Sequence, residues 1–157
     1  MMLGRNVLLA IVTAPELLVS LIVLAALIYY PQPFAFVGDK LTSDSESWKY
    51  IIVLPSALFA WCVKLFSDLR SPSDKQENKL LYDWPLYKLL VARLYLALVF
   101  SGLAAAIAIC LWLLGKHLEH RTIGALFIGA TGVSLVVSAT LTFARARLKE
   151  LLTQHGQ

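Results

Sequence analysis

IVTAPELLVSLIVLAALIYY, residues 11–30, is a long apolar run with Pro15 and Glu16 set inside it. In lipid, an acidic residue at mid-span costs roughly 2.5–3.5 kcal/mol on the insertion scale. Such a residue either does chemistry or marks the place where a helix begins. The fold therefore turns on whether lipid or water surrounds this stretch.

Composition points to lipid. Of 157 residues, 59% are hydrophobic and only 15% charged, with a mean hydropathy of +0.71. Average soluble proteins are about 45–50% apolar and about 25% charged. The apolar excess gathers in four runs: Val7–Tyr30, Tyr50–Phe66, Leu94–Gly115 and Thr122–Ala144. A spanning helix needs about 20 residues to cross a core of ~30 Å. The first, third and fourth runs reach that length. The second reaches it with Trp48 and Lys64 in the headgroup layers, Lys64 snorkelling. The alternation of a barrel strand is absent. The expectation is an all-α, polytopic membrane domain of four helices, near residues 7–30, 48–66, 94–115 and 122–144, with helices three and four extended into the cytoplasm, the third from Pro85, capped by Asp83. The first run is too long for the core of a signal peptide and ends in LIYYPQP, a poor cleavage site, so it is expected to stay as a span.

Basic residues set the expected orientation. With the N-terminus inside, ten of the fourteen Lys and Arg residues fall on the inner side, Arg93 counted among those of a loop over 67–93. Lys40, Lys49, Lys116 and Arg121 remain outside. Both termini are thus expected in the cytoplasm, with an outer loop over 31–47 and a tail over 145–157. Trp48, Tyr50 and Trp112 fit one interfacial belt, and Trp84, Tyr87 and Tyr95 the other. The net charge of +4 then reflects topology and attraction to anionic headgroups, and nucleic acid is not an expected partner. The expected location is the bacterial inner membrane, as a multi-pass protein.

Glu16 has two readings. At mid-membrane it would be a proton or cation site, with Pro15 opening the helix and freeing carbonyls. Alternatively Thr13-Ala14-Pro15-Glu16 has capping-box spacing, which starts the helix near residue 14 and puts Glu16 at the inner headgroup level. The structural reading is preferred.

Three further features bear on function. Leu81, Tyr82, Trp84 and Tyr87 cluster where the inner loop meets the third helix, a surface that would seat the helix or dock a protein. Arg145, Arg147 and Lys149 lie just past the fourth span and are expected to meet lipid phosphates, while the tail prolongs the helix. Ala130, Ser134, Ser138 and Thr142 recur every four residues, with Gly129 beside them, and small residues govern helix association in lipid. Intrachain packing is the preferred use of this ladder, and homo-oligomerisation is expected as well.

The remaining chemistry is sparse. Cys62 and Cys110 differ in expected depth by roughly 20 Å of helix, too far for a disulfide, and both are expected to be buried packing residues. His117 and His120 flank Glu119 at a spacing that can share a metal, but a full ligand set is missing, so no metal and no cofactor are expected. No phosphate loop or nucleophile elbow appears. Glu16 and GKHLEHRTIGALFIGATGV (115–133) are faintly similar to the first and last helices of the small multidrug-resistance transporters. That resemblance spans less than a quarter of the chain, and helices two and three depart from it. The expected function is a non-enzymatic, self-associating anchor, sensor or scaffold that holds a cytoplasmic protein through 67–92 and the tail. The alternative is a small channel or proton- or cation-coupled transporter using Glu16.

Overall fold

The computed structural model describes residues 14–70 and 87–155, apart from the side chains of 116 and 151–155. Among these residues the chain is all-helical, with five α-helices and one 3-10 turn. They are α1 (Pro15–Tyr29), α2 (Pro31–Ser43), α3 (Ser45–Arg70), α4 (Tyr87–Leu114) and α5 (His120–His155), with Gly115–His117 between the last two. Helices α3, α4 and α5 are each long and apolar enough to cross a membrane. The pair α1–α2 meets the same test only when taken together, and it is bent by 98°.

Proline explains that bend. Pro15 stands at the start of α1, where its missing N–H costs no hydrogen bond. Ala14 supplies an extended cap with no side-chain bond, and Thr13, expected as the cap, lies outside the described residues. At the other end Pro31 restricts the residue before it. Tyr30 takes φ −135° and ψ 68°, outside the helical region, while its N–H closes α1 on the Ala26 carbonyl at 2.7 Å. Pro31 then opens α2. Residues 31–47, expected as an outer loop, thus form a helix over Pro31–Ser43 and the first turn of α3. The two prolines fall in a first turn, where N–H groups have no intrahelical partner in any case.

Helix α2 buries Phe34, Gly38 and Leu41 on one face, against the first turns of α5. The contact is backbone to backbone. A Cβ on Gly38 would fall on the His120 carbonyl, and one on Gly124 would fall on the Phe34 carbonyl. Asp44 ends this element and caps α3. Its carboxylate accepts from the Glu46 N–H at 3.0 Å and from the Ser47 hydroxyl at 3.1 Å. The backbone bond, and then the hydroxyl, hold its carboxyl below the usual carboxylate value.

The core is a three-helix seam. Buried positions on α3 are Ile51, Pro55, Cys62, Leu65 and Leu69. On α4 they are Leu94, Ala97, Ser101, Ala104, Ala108 and Leu111, with Ala105 beside them. On α5, Ala130, Ser134, Val137 and Leu141 follow the same alternation of threes and fours. That is the heptad spacing of helices that pack with a slight left-handed twist. Small residues on α4 and α5 let the backbones approach, which stabilises helix pairs where lipid offers no hydrophobic drive. Helix α1 packs on another side of α5, with Val19 against Gly132 and Val23 against Gly129.

Candidate functional site

Glu16 lies in the first turn of α1 and is fully buried. Arg93, counted by charge with the inner loop, lies about two turns into α4, in the stem expected to extend the third helix. Its Nη2 donates to Oε1 of Glu16 at 2.8 Å and to Oε2 at 2.7 Å. The arginine side chain keeps 25% of its exposure. This is a charge-assisted pair of short bonds, of the kind that fixes geometry as well as supplying energy. A buried carboxylate without a partner would be far costlier than this one.

The pair joins helices that otherwise meet little. Helix α1 rests on α5, and α4 packs on α3 and α5. The Glu16–Arg93 contact closes one end of the gap between α1 and α4. Beside it lies a cavity of 230 Å³ lined by Pro15, Leu90, Arg93, Thr140 and Ala144 among others. Arg93 Nη1 has no hydrogen-bond partner among the described residues. Further along the same gap is a groove of 340 Å³, lined almost entirely by apolar side chains of α1, α4 and α5.

Chemically, the site holds a proton acceptor whose two oxygens are both occupied. The guanidinium favours the ionised carboxylate and competes with any cation or proton for it. Pro15 does not kink a helix interior among the described residues; it begins α1. Among the described residues no three His, Cys, Asp or Glu side chains gather where a metal could sit. His120 instead faces Asp39 of α2, Nδ1 to Oδ1 at 2.8 Å, with both side chains exposed.

The small-residue ladder is divided between faces. Ala130, Ser134 and Ser138 are buried in the seam, where the Ser138 hydroxyl lies 3.3 Å from Cys62 Sγ and donates to the Ser134 carbonyl. Gly129 faces α1. Thr142 is exposed and returns its hydroxyl to the Ser138 carbonyl. Cys62 is buried as expected. Cys110 is exposed, a correction to the expectation that both thiols are packed inside. It sits one residue before the buried Leu111, and a shift of one residue turns a side chain by about 100° around a helix.

The basic tail residues are paired within the chain. Arg145 Nη2 meets Asp68 Oδ2 of α3 at 2.8 Å, and Arg147 meets Glu150 at 3.1 Å. Lys149 is exposed. Leu81, Tyr82, Asp83, Trp84 and Pro85 lie outside the described residues, and Tyr87, half-buried, opens α4.

Reading the sequence missed Arg93 as the partner of Glu16. The signal was partial: Arg93 is the residue immediately before an uncharged apolar run, and in the helix-start reading Glu16 stands at the same inner boundary. Comparison with known proteins gives no matching family model, curated protein or solved structure.

Proposed function

We propose that this chain is a non-enzymatic membrane anchor or scaffold with four spans, both termini in the cytoplasm, that self-associates and holds a cytoplasmic protein through residues 67–92 and the tail. The observation that carries this reading is the length of α5. Its 36 residues rise about 54 Å, against a hydrocarbon core of ~30 Å. Much of the helix therefore stands clear of lipid. Its Arg145 meets Asp68 on the last turn of α3, which gives the projection a fixed base beside the segment leading to α4. In this arrangement Leu81, Tyr82, Trp84 and Tyr87 belong to the partner surface, and Arg147 and Lys149 lie within reach of lipid phosphates.

The transporter alternative depends on a free Glu16. A guanidinium that already occupies both carboxylate oxygens is poor provision for a passing proton or cation. In this reading the ion pair is a fastening between α1 and α4. Flux in liposomes that is present with the native chain and abolished by Glu16→Gln would reverse that preference.

Cysteine labelling in native membranes, joined to crosslinking read by mass, tests the proposal. The segment 67–92 should label only from the cytoplasmic side. A crosslinked cytoplasmic protein should be lost with Leu81→Ala and Trp84→Ala together. Labelling of that segment from the opposite face, or a chain that crosslinks to nothing at native expression, would overturn the reading.

A further inference from the structure

The gap between α1 and α4 has the plan of a lipid. At one end stands Arg93, with Nη2 bound by Glu16 and Nη1 without a partner among the described residues. It lines the 230 Å³ cavity together with Thr140 of α5. One turn beyond Ala97, the last α4 residue of that cavity, the apolar groove begins at Phe100 and continues to Ile107. These positions lie about 10–21 Å from Arg93 along α4. The floor of the groove is made of small residues, Ala104, Gly129 and Ala130, and its rims carry Leu24, Leu103 and Leu126. None of the described helices fills it.

We infer that this crevice binds one membrane phospholipid, its phosphodiester held at Arg93 and an acyl chain laid in the groove between α1 and α4. Three observations select that occupant. The groove is apolar along its length and is bounded by helices apolar enough to lie in a membrane, so its natural filling is hydrocarbon. A charged donor, Arg93 Nη1, without a partner among the described residues, stands at one end, as a headgroup requires. The flanking carboxylate of Glu16 leaves the ion pair without net charge, so recognition falls on the phosphodiester oxygens and not on the headgroup's overall charge. Any glycerophospholipid then qualifies. An arginine presents its donors in a planar fork suited to phosphate oxygens, and a lysine in its place could keep the pairing with Glu16 but would lose the second nitrogen. This site lies on a different helix from the tail residues Arg145, Arg147 and Lys149, and it does not depend on the anchoring role.

Native mass spectrometry of the detergent-purified chain, titrated with phosphatidylglycerol and separately with phosphatidylethanolamine, tests the inference. The native chain should retain one lipid of either kind per copy, and inorganic phosphate should give no adduct. Leu103→Trp, which fills the groove from its rim, should weaken retention about tenfold or more. Arg93→Lys should weaken it about tenfold, the scale of one hydrogen bond to a charged group. Leu135→Trp, at an exposed position of α5 that does not line the groove, should leave it unchanged and reports on folding. Equal retention by the native chain, Leu103→Trp and Arg93→Lys would overturn the proposal. So would a loss with Leu135→Trp as large as that with Leu103→Trp. Phosphate binding without lipid binding would overturn it too.

Discussion

Removing Glu16 alone should cost far more than removing it together with Arg93. In Glu16→Leu the guanidinium keeps its charge beside α1 and loses the acceptor for two bonds of 2.7–2.8 Å. Two unit charges ~4 Å apart at an effective dielectric of ~20 attract by about 4 kcal/mol. Breaking one partner of a buried pair costs about 3–5 kcal/mol in measured cases. Arg93 keeps a quarter of its side chain exposed and can recover some hydration, so the lower end, about 3 kcal/mol, is expected for Glu16→Leu. Arg93→Leu leaves a carboxylate with no exposure at all, and about 4–5 kcal/mol is expected there. These losses shift the unfolding equilibrium by roughly two to more than three decades at 1.36 kcal/mol per decade. The double variant replaces a buried ion pair by apolar side chains, which is often neutral or stabilising. Reversible unfolding in mixed micelles of mild detergent and dodecyl sulfate, followed by circular dichroism, gives all four corners of the cycle. A coupling of about 2 kcal/mol or more between the two sites is expected. Additive losses, or single variants within about 0.5 kcal/mol of the native chain, would show that the pair does not fasten α1 to α4.

Other consequences follow from named contacts. Gly38→Ala or Gly124→Ala places a Cβ on a carbonyl of the facing helix, so each should lower stability by about 1–3 kcal/mol. Gly102→Ala meets only the Phe59 ring at 3.5 Å and should stay within about 0.5 kcal/mol; equal effects at the three glycines would refute the close crossing of α2 and α5. Asp44 should titrate below its ordinary value of 3.8, because the Glu46 N–H and the Ser47 hydroxyl favour the charged form. A carboxyl lowered by folding stabilises above its unfolded pKa, and that contribution is lost as pH falls through the lower folded value. The Glu46 amide resonance should follow this titration, and a midpoint at or above 3.8 would remove the cap from the account. A membrane-permeant maleimide should label Cys110 in the folded chain and leave Cys62 intact until unfolding, whereas equal labelling would refute the buried setting of Cys62.

Much of the architecture could be read from spacing. The apolar runs near 48–66, 94–115 and 122–144 lie within α3, α4 and α5, because length and hydropathy decide whether a helix can cross a bilayer. The continuation of the fourth run as one helix into the tail was legible too, since nothing in TFARARLKELL breaks a helix. Residues 31–47 were not legible as a helix. Prolines read as breakers in an interior are starters in a first turn, and which role holds depends on Tyr30 leaving the helical region. Arg93 was hidden for a related reason. A count of basic residues treats each one as a loop charge, whereas this one is placed by a partner 77 positions away. Linear patterns show the period of a helix but not which of its neighbours will supply a counter-charge.

The place of α5 decides what its small residues can do. It touches each of the four other described helices. Ala130 and Ser134 face the seam with α3 and α4, Gly129 and Gly132 face α1, and Gly124 faces α2. Ala130, Ser134 and Ser138 of the ladder are therefore used within one copy, and only Thr142 stays exposed. The proposed association between copies would then use bulkier surfaces, such as Leu18, Leu21 and Ile22 of α1, which are more than half exposed. This makes a measurable distinction. Ser134 has no exposure, and Ser134→Leu would overfill the seam, at a cost of about 1–3 kcal/mol. If the seam lies inside one chain, that loss is the same at every protein-to-detergent ratio. If the ladder joined two copies, dilution into detergent would enlarge it by mass action. A stability defect that grows on dilution would return the ladder to the oligomer interface and leave the intrachain seam without its central evidence.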